Sequence, residues 1–330
     1  MKVLFIGGTG NISTSVSRLC VKNGIDLYLL NRGTNGVEIP GTKTIRGDIS
    51  DPGIANTLKK HSWDCVVNWI AFNTNDIERD INLFRKKTKQ YIFISSASAY
   101  QKPPSHPIIT ESTPLYNPVW DYSQNKIAGE EKLNKSYREE DFPITVVRPS
   151  LTFDTVIPLI MGGWTEYTII DRMKKGKEVI VPGDGTSLWT ITHAEDFAKG
   201  FIGLIGHQQA IGHPFHITSD EILTWDQIYE AVADAAGVKA NIIHIPSDFI
   251  CKVENSLTGS LLGDKSYSVI FDNAKIKTFV PGYKAIIPFS EGIKKTIAWF
   301  EADPKRMIIK KESNEMIDRI INAFKNGSNF

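Results

Sequence analysis

Short runs of apolar and β-branched residues alternate with amphipathic segments over the first 150 positions of the chain. The runs have the length of buried strands, and the segments between them have the apolar spacing of surface helices. Alternating strands and helices form parallel sheets with helices on both faces, and right-handed crossovers wind such a sheet in both directions. The pattern therefore predicts an α/β fold with a doubly wound parallel sheet. The predicted strands cover residues 3–6, 27–30, 43–46, 65–69, 91–95 and 145–148.

Beyond residue 150 the alternation breaks into sequence that contains glycine and proline. A helical segment at 194–205 and a short strand at 215–218 have the lengths of elements that rejoin the sheet layer, and later helices leave it again. We therefore predict two domains, of which the second is smaller, mostly C-terminal and also α/β. The predicted bounds are 1–152 with about 187–219 for the first domain, and 153–186 with 220–330 for the second.

Composition limits the classes of partner and compartment. The 330 residues are 41% hydrophobic and carry 38 basic and 37 acidic side chains, a net charge of +1. A near-neutral chain has no field that attracts nucleic acid or a charged membrane surface, and no run approaches the ~20 apolar residues of a membrane span. Three dispersed cysteines form neither a disulfide framework nor a zinc pattern, and His213 and His216 have no acidic or thiol partner nearby. We expect a cytoplasmic protein with no nucleic acid, membrane or metal partner.

A glycine-rich turn directly follows the first predicted strand. Residues 7–13 read GGTGNIS and lead into a helical segment. Gly7 permits a tight turn, Gly10 lets the backbone approach a pyrophosphate, and the helix N-terminus supplies unpaired N–H groups. Ser13 stands where such motifs usually carry a third glycine, so we expect slightly looser packing there. This context predicts a Rossmann-type, NAD(P)-binding domain, and the alternative is a structural turn without a ligand.

The end of the second predicted strand bears on the choice of cofactor. Folds that prefer NAD place an acid there against the ribose 2′-hydroxyl, whereas this chain reads Asn31, Arg32 and Gly33. An arginine suits a 2′-phosphate, so Arg32 favours NADP. The alternative is a solvated Arg32 and acceptance of both cofactors. After the third strand, Asp48 could accept a hydrogen bond from the adenine amine or could cap the next helix.

Tyr122 and Lys126 are separated by one helical turn. They therefore share a helix face, where the ammonium can stabilise a phenolate and lower the pKa of the tyrosine. A tyrosine of lowered pKa is a proton-transfer group. The fifth predicted strand runs into the serine-rich segment 95–98, so its hydroxyls lie at the carboxyl edge of the sheet, where ligands bind in open α/β folds.

Together these segments resemble the extended short-chain dehydrogenase/reductase superfamily, and within it the NAD-dependent epimerase/dehydratase family. The resemblance implies that Tyr122 is the acid/base, that Lys126 lowers its pKa and holds the nicotinamide ribose, and that Ser96 hydrogen-bonds the reacting oxygen. Hydride would then leave a carbinol carbon as Tyr122 removes the hydroxyl proton. Further motifs occupy their family places, namely VRP at 147–149, GDGT at 183–186 and THAED at 192–196.

The predicted binding residues come from the glycine turn, the strand ends and the catalytic helix. Leu188 and Trp189 stand where nucleotide-sugar enzymes of this family usually carry an arginine for the diphosphate. That exchange favours an uncharged or differently charged substrate that stacks on an aromatic ring. The predicted substrate-binding residues are Ser98, Trp120, Trp164 and Trp189. The predicted cofactor-binding residues are Gly7, Thr9, Gly10, Asn11, Ile12, Asn31, Arg32, Asp48, Ile49, Ala71, Tyr122, Lys126 and Pro149.

These expectations favour an NAD(P)-dependent oxidoreductase or epimerase that acts on a hydroxyl or keto group of a sugar-like small molecule. One alternative is a carbonyl reductase on a small non-sugar substrate. Another is a non-catalytic NAD(P)-binding regulatory module, because some relatives keep the fold to regulate or to bind RNA. The resemblance also implies a homodimer formed through the helix that carries Tyr122 and its neighbour.

Overall fold

A computed structural model of the protein describes residues 1–34 and 36–327, so the last three residues of the predicted second domain lie outside it. The strands are short, as is usual for an α/β fold. They are β1 Lys2–Ile6, β2 Asp26–Asn31, β3 Lys43–Arg46, β4 Cys65–Asn68, β5 Tyr91–Ile94, β6 Ile108–Ile109, β7 Ile144–Val147, β8 Leu151–Phe153, β9 Glu178–Pro182, β10 Leu188–Trp189, β11 Ile191–His193, β12 Pro214–Phe215, β13 Leu223–Thr224, β14 Asn241–Ile245 and β15 Ile270–Phe271.

The α-helices differ in length from a single turn to more than five turns. They are α1 Ser13–Lys22, α2 Pro52–Lys59, α3 Thr74–Phe84, α4 Asp121–Glu140, α5 Thr168–Lys174, α6 Ala194–Leu204, α7 Trp225–Ala235, α8 Ser247–Val253, α9 Thr258–Ser260, α10 Ala274–Phe279, α11 Phe289–Glu301 and α12 Lys311–Lys325.

Seven parallel strands form the central sheet in the order β12-β7-β5-β4-β1-β2-β3. The order proceeds outward in both directions from β1 and β4, which confirms the predicted doubly wound α/β fold. All six predicted strands of the first 150 residues are present, with ends that differ by no more than one residue. The seventh strand is β12, which pairs with β7 where the chain was predicted to rejoin the sheet layer.

Strand β4 ends at Asn68 rather than at residue 69, because the backbone N–H groups that follow bond to the Asn68 side chain instead of to a neighbouring strand. Asn68 Oδ1 accepts hydrogen bonds from the backbone N–H groups of Ile70 and Ala71, both at 2.9 Å. Asn68 Nδ2 donates to the buried carboxylate of Asp80, which also accepts from the Tyr91 hydroxyl at 2.7 Å. A buried amide needs such partners, and they hold the loop after β4 in one conformation.

Both faces of the central sheet are covered, as a parallel sheet requires. On one face, Val16 of α1 and Phe197 and Phe201 of α6 pack on apolar side chains of the sheet. On the other face, Ile77 of α3 and Leu133 of α4 do the same. The sheet is therefore buried on both sides, and its carboxyl ends are left to the connecting loops.

A third hydrophobic core lies outside the central sheet. It packs α5, α7, α11 and α12 against the parallel pair β9 and β14, and its largest side chain is the fully buried Trp225. Trp189 and Ile191 also belong to this core, although they fall in the segment that was predicted to lie in the first domain. The separate core supports the predicted second domain, whose bounds stay a prediction.

The hydropathy of the helices bears on membrane insertion. Among residues 1–34 and 36–327, none of the helices combines the length and the apolar character needed to cross a bilayer.

Candidate active site

A cavity of about 800 Å³ opens at the carboxyl ends of the central strands. It begins at the glycine turn after β1, passes the loops after β2 and β3, and ends beyond the first turn of α4. Of the predicted site residues, Ala71 alone is absent from its wall. The predicted residues that line the cavity are Gly7, Thr9, Gly10, Asn11, Ile12, Asn31, Arg32, Asp48, Ile49, Ser96, Ser98, Trp120, Tyr122, Lys126, Pro149, Trp164 and Trp189.

The glycine turn has the geometry that a dinucleotide requires. Gly7 and Gly8 have φ values of +91° and +108°, which favour glycine. A Cβ on Gly10 would meet no atom nearer than Ser13 Oγ, at 3.5 Å, so its outer side is open to a ligand. The first N–H groups of α1 have no intrahelical acceptor, and no acidic residue in its first turn offsets the positive end of the helix dipole. These residues fit a pyrophosphate.

The close approach of helix and strand depends on Gly8 rather than on residue 13. A Cβ on Gly8 would lie 2.8 Å from Leu29 Cδ2 of β2 and 3.3 Å from Ser17 Oγ of α1. Ser13 is buried, and its hydroxyl accepts a hydrogen bond from Gly10 N at 2.9 Å. The serine therefore braces the turn.

Two glycine variants separate the packing role of this turn from its binding role. We expect Gly8→Ala to lower the free energy of unfolding by about 1–3 kcal/mol, because the added methyl meets Leu29 in a strained backbone conformation. The matched variant Gly10→Ala should keep its stability but weaken cofactor binding, since its methyl stands where the pyrophosphate approaches. Urea unfolding and fluorescence titration with NAD(P) measure the two effects. Equal behaviour of the two variants would contradict this assignment.

Two guanidinium groups lie near the end of β2. Arg32 Nη1 is 4.0 Å from Asp48 Oδ2, and the Arg32 side chain is 70% exposed. A Cβ on Gly33 would be 3.2 Å from Arg46 Nε, so Arg46 reaches the same loop from β3. Hydrogen bonds from the Ser50 side chain and backbone hold the pKa of Asp48 below its usual value. Asp48 is therefore a carboxylate at neutral pH. It lines the cavity in the loop after β3, beside Arg32.

Tyr122 occupies the first turn of α4, between two aromatic rings. Its ring centroid lies 5.0 Å from that of Trp120 and 5.6 Å from that of Phe72. Burial raises the pKa of Tyr122, and a hydrogen bond with Ser96 offsets part of that shift. The expected lowering of this pKa by Lys126 is wrong for the geometry found, because the lysine ammonium is directed to other acceptors.

Lys126 is held by the backbone at the ends of two strands. Its ammonium donates to Ile94 O at 2.9 Å and to Ala71 O at 2.8 Å. Burial lowers the pKa of Lys126 to about 8. Ala71, predicted to bind the cofactor, does not line the cavity, and its backbone carbonyl orients this lysine. Of its three N–H donors, Lys126 keeps one that these carbonyl groups do not use.

Ser96 caps a single 3₁₀ turn that follows β5. Its Oγ accepts a hydrogen bond from Ser98 N at 3.2 Å and lies 2.9 Å from Ser98 Oγ. Ser123 donates its hydroxyl to Ser98 Oγ at 2.7 Å. The serines thus form a connected chain that fixes Ser96 beside Tyr122. Ser98, predicted to bind substrate, is buried and engaged in this chain, which favours a role in positioning.

A buried ion pair joins α4 to the end of β7 beneath the serines. Arg148 Nε donates to Glu130 Oε1 at 2.9 Å, and Arg148 Nη2 donates to Glu130 Oε2 at 2.6 Å. Ser95 also donates its hydroxyl to Glu130. Burial disfavours the charged guanidinium, but Glu130 outweighs this cost and raises the pKa of Arg148. The pair ties α4 to the edge of the sheet.

The end of the cavity beyond Tyr122 is aromatic and charged. Trp164 is 40% exposed, whereas Trp189 is buried and stacks on Trp225 with ring centroids 5.6 Å apart. Sequence reasoning missed the charged residues of this wall, which are Lys102, Asp264 and Lys265. Lys102 lies more than 160 positions from Asp264 along the chain, so only the tertiary structure reveals that they meet.

Possible metal ligands are dispersed over the described residues. In the described part of the chain, histidine, cysteine, aspartate and glutamate side chains form no group of three or more that could hold a metal ion.

The sequence from residue 3 to residue 218 matches the family described as NAD dependent epimerase/dehydratase. A curated relative, chloroplast stem-loop binding protein of 41 kDa b from Arabidopsis thaliana, is 26% identical over 265 residues, covering 75% of this chain and 67% of its own length. UDP-glucose 4-epimerase from Lactobacillus helveticus is 30% identical over 169 residues, covering 45% of this chain and about half, 51%, of its own length.

One similar solved structure matches nearly the whole chain. UDP-glucuronic acid 4-epimerase from Bacillus cereus, in complex with NAD, superposes with a TM-score of 0.73 and is 17% identical. The match covers 93% of this chain and 100% of that protein. At this identity the likeness establishes the fold.

Proposed function

Because the chain belongs to the NAD dependent epimerase/dehydratase family, we propose that it is an NAD(P)-dependent oxidoreductase or epimerase acting on a hydroxyl or keto group of a sugar-like substrate. One observation carries the proposal. Tyr122, Lys126 and Ser96 line the same cavity as a glycine turn that fits a pyrophosphate. Such convergence of a proton-transfer group, a cation and a dinucleotide site is what hydride-transfer chemistry requires.

Each residue of the site has a distinct task in this proposal. The nicotinamide supplies a hydride acceptor when NAD(P) is bound. Tyr122 Oη takes the proton of the substrate hydroxyl, and Ser96 Oγ donates a hydrogen bond to the oxygen as it becomes a carbonyl. The N–H of Lys126 that its carbonyl partners leave unused holds the ribose. Tyr122 returns the proton when the reaction runs backward.

Incubation with oxidised cofactor and a panel of free and nucleotide-linked sugars tests the proposal. An oxidoreductase accumulates reduced nicotinamide, whereas an epimerase changes product stereochemistry without net cofactor consumption. We expect one of these results with a free sugar derivative, because Leu188 and Trp189 lack the cation that a nucleotide diphosphate requires at that place. Efficient turnover of a UDP-hexose would contradict the substrate part of the proposal.

A carbonyl reductase on a small non-sugar substrate uses the same three residues and differs in its overall reaction. It consumes reduced cofactor in proportion to product, so the same incubation, started from NAD(P)H and simple ketones, distinguishes it. The size of the cavity favours the larger sugar-like substrate, because it continues past Tyr122 to Trp164 and Trp189.

The name of the Arabidopsis relative favours the alternative function, a non-catalytic binding module. In this chain the tyrosine and lysine pair is retained and positioned, and the net charge is only +1. A protein that binds RNA needs a basic surface for the phosphates, so these observations support an enzyme.

Arg32 provides a test of cofactor preference. We propose that it binds the 2′-phosphate of NADP, because it lines the cavity at the end of β2 where an acid would select NAD. We expect Arg32→Ala to weaken NADP binding about tenfold and to leave NAD binding almost unchanged. Fluorescence titration measures both, with Arg18→Ala, an exposed arginine outside the cavity, as control. An unaltered NADP to NAD ratio would show that Arg32 is a solvated loop residue.

The predicted homodimer also stays a proposal. Its expected interface consists of α3 and α4, whose exposed side chains include Glu78, Asn82, Glu131 and Lys135. Homodimer interfaces are usually more apolar than this surface. Pairing through these helices would therefore depend on hydrogen bonds and ion pairs.

A further inference from the structure

Two lysines and one aspartate form a buried cluster on the cavity wall beyond Tyr122. Lys102 Nζ lies 3.3 Å from Asp264 Oδ1, and Lys265 Nζ lies 3.3 Å from Asp264 Oδ2. The Lys102 side chain is 1% exposed, and those of Asp264 and Lys265 are 12% and 11% exposed. All three line the cavity. A single carboxylate therefore bridges two ammonium groups where little water reaches them.

The cluster has one more positive than negative charge. Among the described residues, Asp264 is the only carboxylate within 4.0 Å of either ammonium. The other acid on the cavity wall, Asp48, lies at the opposite end beside Arg32. An unbalanced buried charge is unfavourable, and a structural ion pair would need only one of these lysines. The excess charge is available to a ligand.

One indole ring lies near each of the two ammonium groups. Lys102 Nζ lies 5.9 Å from the Trp189 ring centroid, and Lys265 Nζ lies 5.4 Å from that of Trp120. Both tryptophans line the cavity. This end of the cavity thus offers indole rings and a net cation together.

The cluster is held at a set distance from the phenol. Asn117 Nδ2 donates to Gly263 O at 2.7 Å and to Ser98 O at 3.0 Å, which joins the turn carrying Asp264 to the serine chain. A Cβ on Gly263 would lie 2.9 Å from Trp120 Cβ, so this turn packs directly on Trp120. The Trp120 ring in turn contacts Tyr122. The Trp120 ring therefore lies between Tyr122 and the turn that carries Asp264 and Lys265.

We infer that the substrate of the proposed reaction is a sugar-like hydroxy or keto acid, whose single anionic group binds Lys102 and Lys265 while its ring stacks on Trp120 and Trp189. The inference rests on the proposed function and names its substrate class. One excess positive charge balances one carboxylate, whereas a phosphate monoester, at about −1.5 to −2 near pH 7, and the diphosphate of a nucleotide sugar would each leave buried negative charge. A neutral sugar would leave the cations uncompensated.

Isothermal titration calorimetry in the presence of oxidised cofactor tests the inference on the full chain. The probes form a matched series of D-glucose, D-glucuronate, D-glucose 6-phosphate and UDP-glucose. We expect D-glucuronate to bind at least tenfold more tightly than D-glucose, and Lys265→Met to remove that preference by a factor on the order of 10 to 100. D-glucose 6-phosphate separates a singly charged carboxylate from a phosphate of higher charge. Equal binding of D-glucose, or preferred binding of D-glucose 6-phosphate or UDP-glucose, overturns the inference.

The variants separate this inference from the proposed reaction. Lys102→Arg keeps the charge and should keep the preference, whereas Lys102→Met should lose it; if Lys102→Met does not fold, Lys265→Met decides the question. Tyr122→Phe should bind the anionic probes as the wild type does. Lysine-dependent binding without any turnover would refute the reaction and keep the anion site. Turnover of neutral sugars that is unaffected by either lysine would refute the anion site and keep the reaction.

Discussion

Replacing Tyr122 with phenylalanine is expected to lower turnover by a factor on the order of 10² to 10⁴ while cofactor binding persists. The substitution removes only the hydroxyl, so the ring contacts with Phe72 and Trp120 remain. Lys126 keeps its carbonyl partners, and the glycine turn is untouched. Single-substrate kinetics and fluorescence titration with NAD(P) measure the two quantities. Tyr116→Phe is the matched control, because Tyr116 is 57% exposed and lies outside the cavity wall.

The pH dependence of the wild type follows from the same residue. Oxidation of an alcohol needs the deprotonated phenol, and burial raises the pKa of Tyr122. The oxidation rate should therefore rise with pH up to the raised pKa of Tyr122, which lies above the usual value of 10.0, whereas the reduction rate, which needs the protonated phenol, should fall only as the pH passes that pKa. Both titrations should disappear in Tyr122→Phe. Identical profiles in the wild type and the variant would place proton transfer on another group.

Truncation of Glu130 to alanine is expected to lower the free energy of unfolding by about 3–5 kcal/mol. It would leave the Arg148 guanidinium buried without its bidentate carboxylate and would remove the acceptor of the Ser95 hydroxyl. Burial without a partner is the costly state, so the double variant Glu130→Leu with Arg148→Met should recover much of the loss. Urea unfolding followed by circular dichroism measures the midpoint and slope.

An exposed ion pair between α4 and α3 serves as the control for this stability effect. Lys132 of α4 donates to Glu78 of α3 at 2.6 Å, but both side chains are accessible to solvent. Exposed pairs contribute little, so Lys132→Ala should leave the unfolding midpoint within experimental error. If Lys132→Ala lowered the free energy of unfolding as much as Glu130→Ala, burial would not determine how much these ion pairs contribute to stability.

The sequence predicted the sheet well because most of its strands are buried, the exposed edge strand β3 being the exception. Their apolar runs are bounded by glycine and polar residues, and the observed ends differ from the predicted ends by at most one residue. Strand β4 shows the limit of this reasoning. Its end depends on the hydrogen bonds of Asn68 to the following backbone and to Asp80, which no local pattern encodes.

The candidate site was predicted where short spacing brings residues together. The residues of the glycine turn are consecutive in the chain, and Tyr122 and Lys126 are one helical turn apart. Both sets line the cavity. The cluster of Lys102 and Asp264 could not be predicted, because its members come from distant loops. The direction of the Tyr122 pKa also required the structure, since it depends on burial and on where the Lys126 ammonium points.

The structure of the protein crystallised with NAD(P) tests the central claim most directly. We expect a pyrophosphate on the glycine turn after β1, a nicotinamide ring beside Tyr122 Oη and Ser96 Oγ, and a ribose hydroxyl that accepts a hydrogen bond from the remaining N–H of Lys126. A nicotinamide ring bound away from Tyr122, or a phenol turned into the interior of the protein, would contradict it.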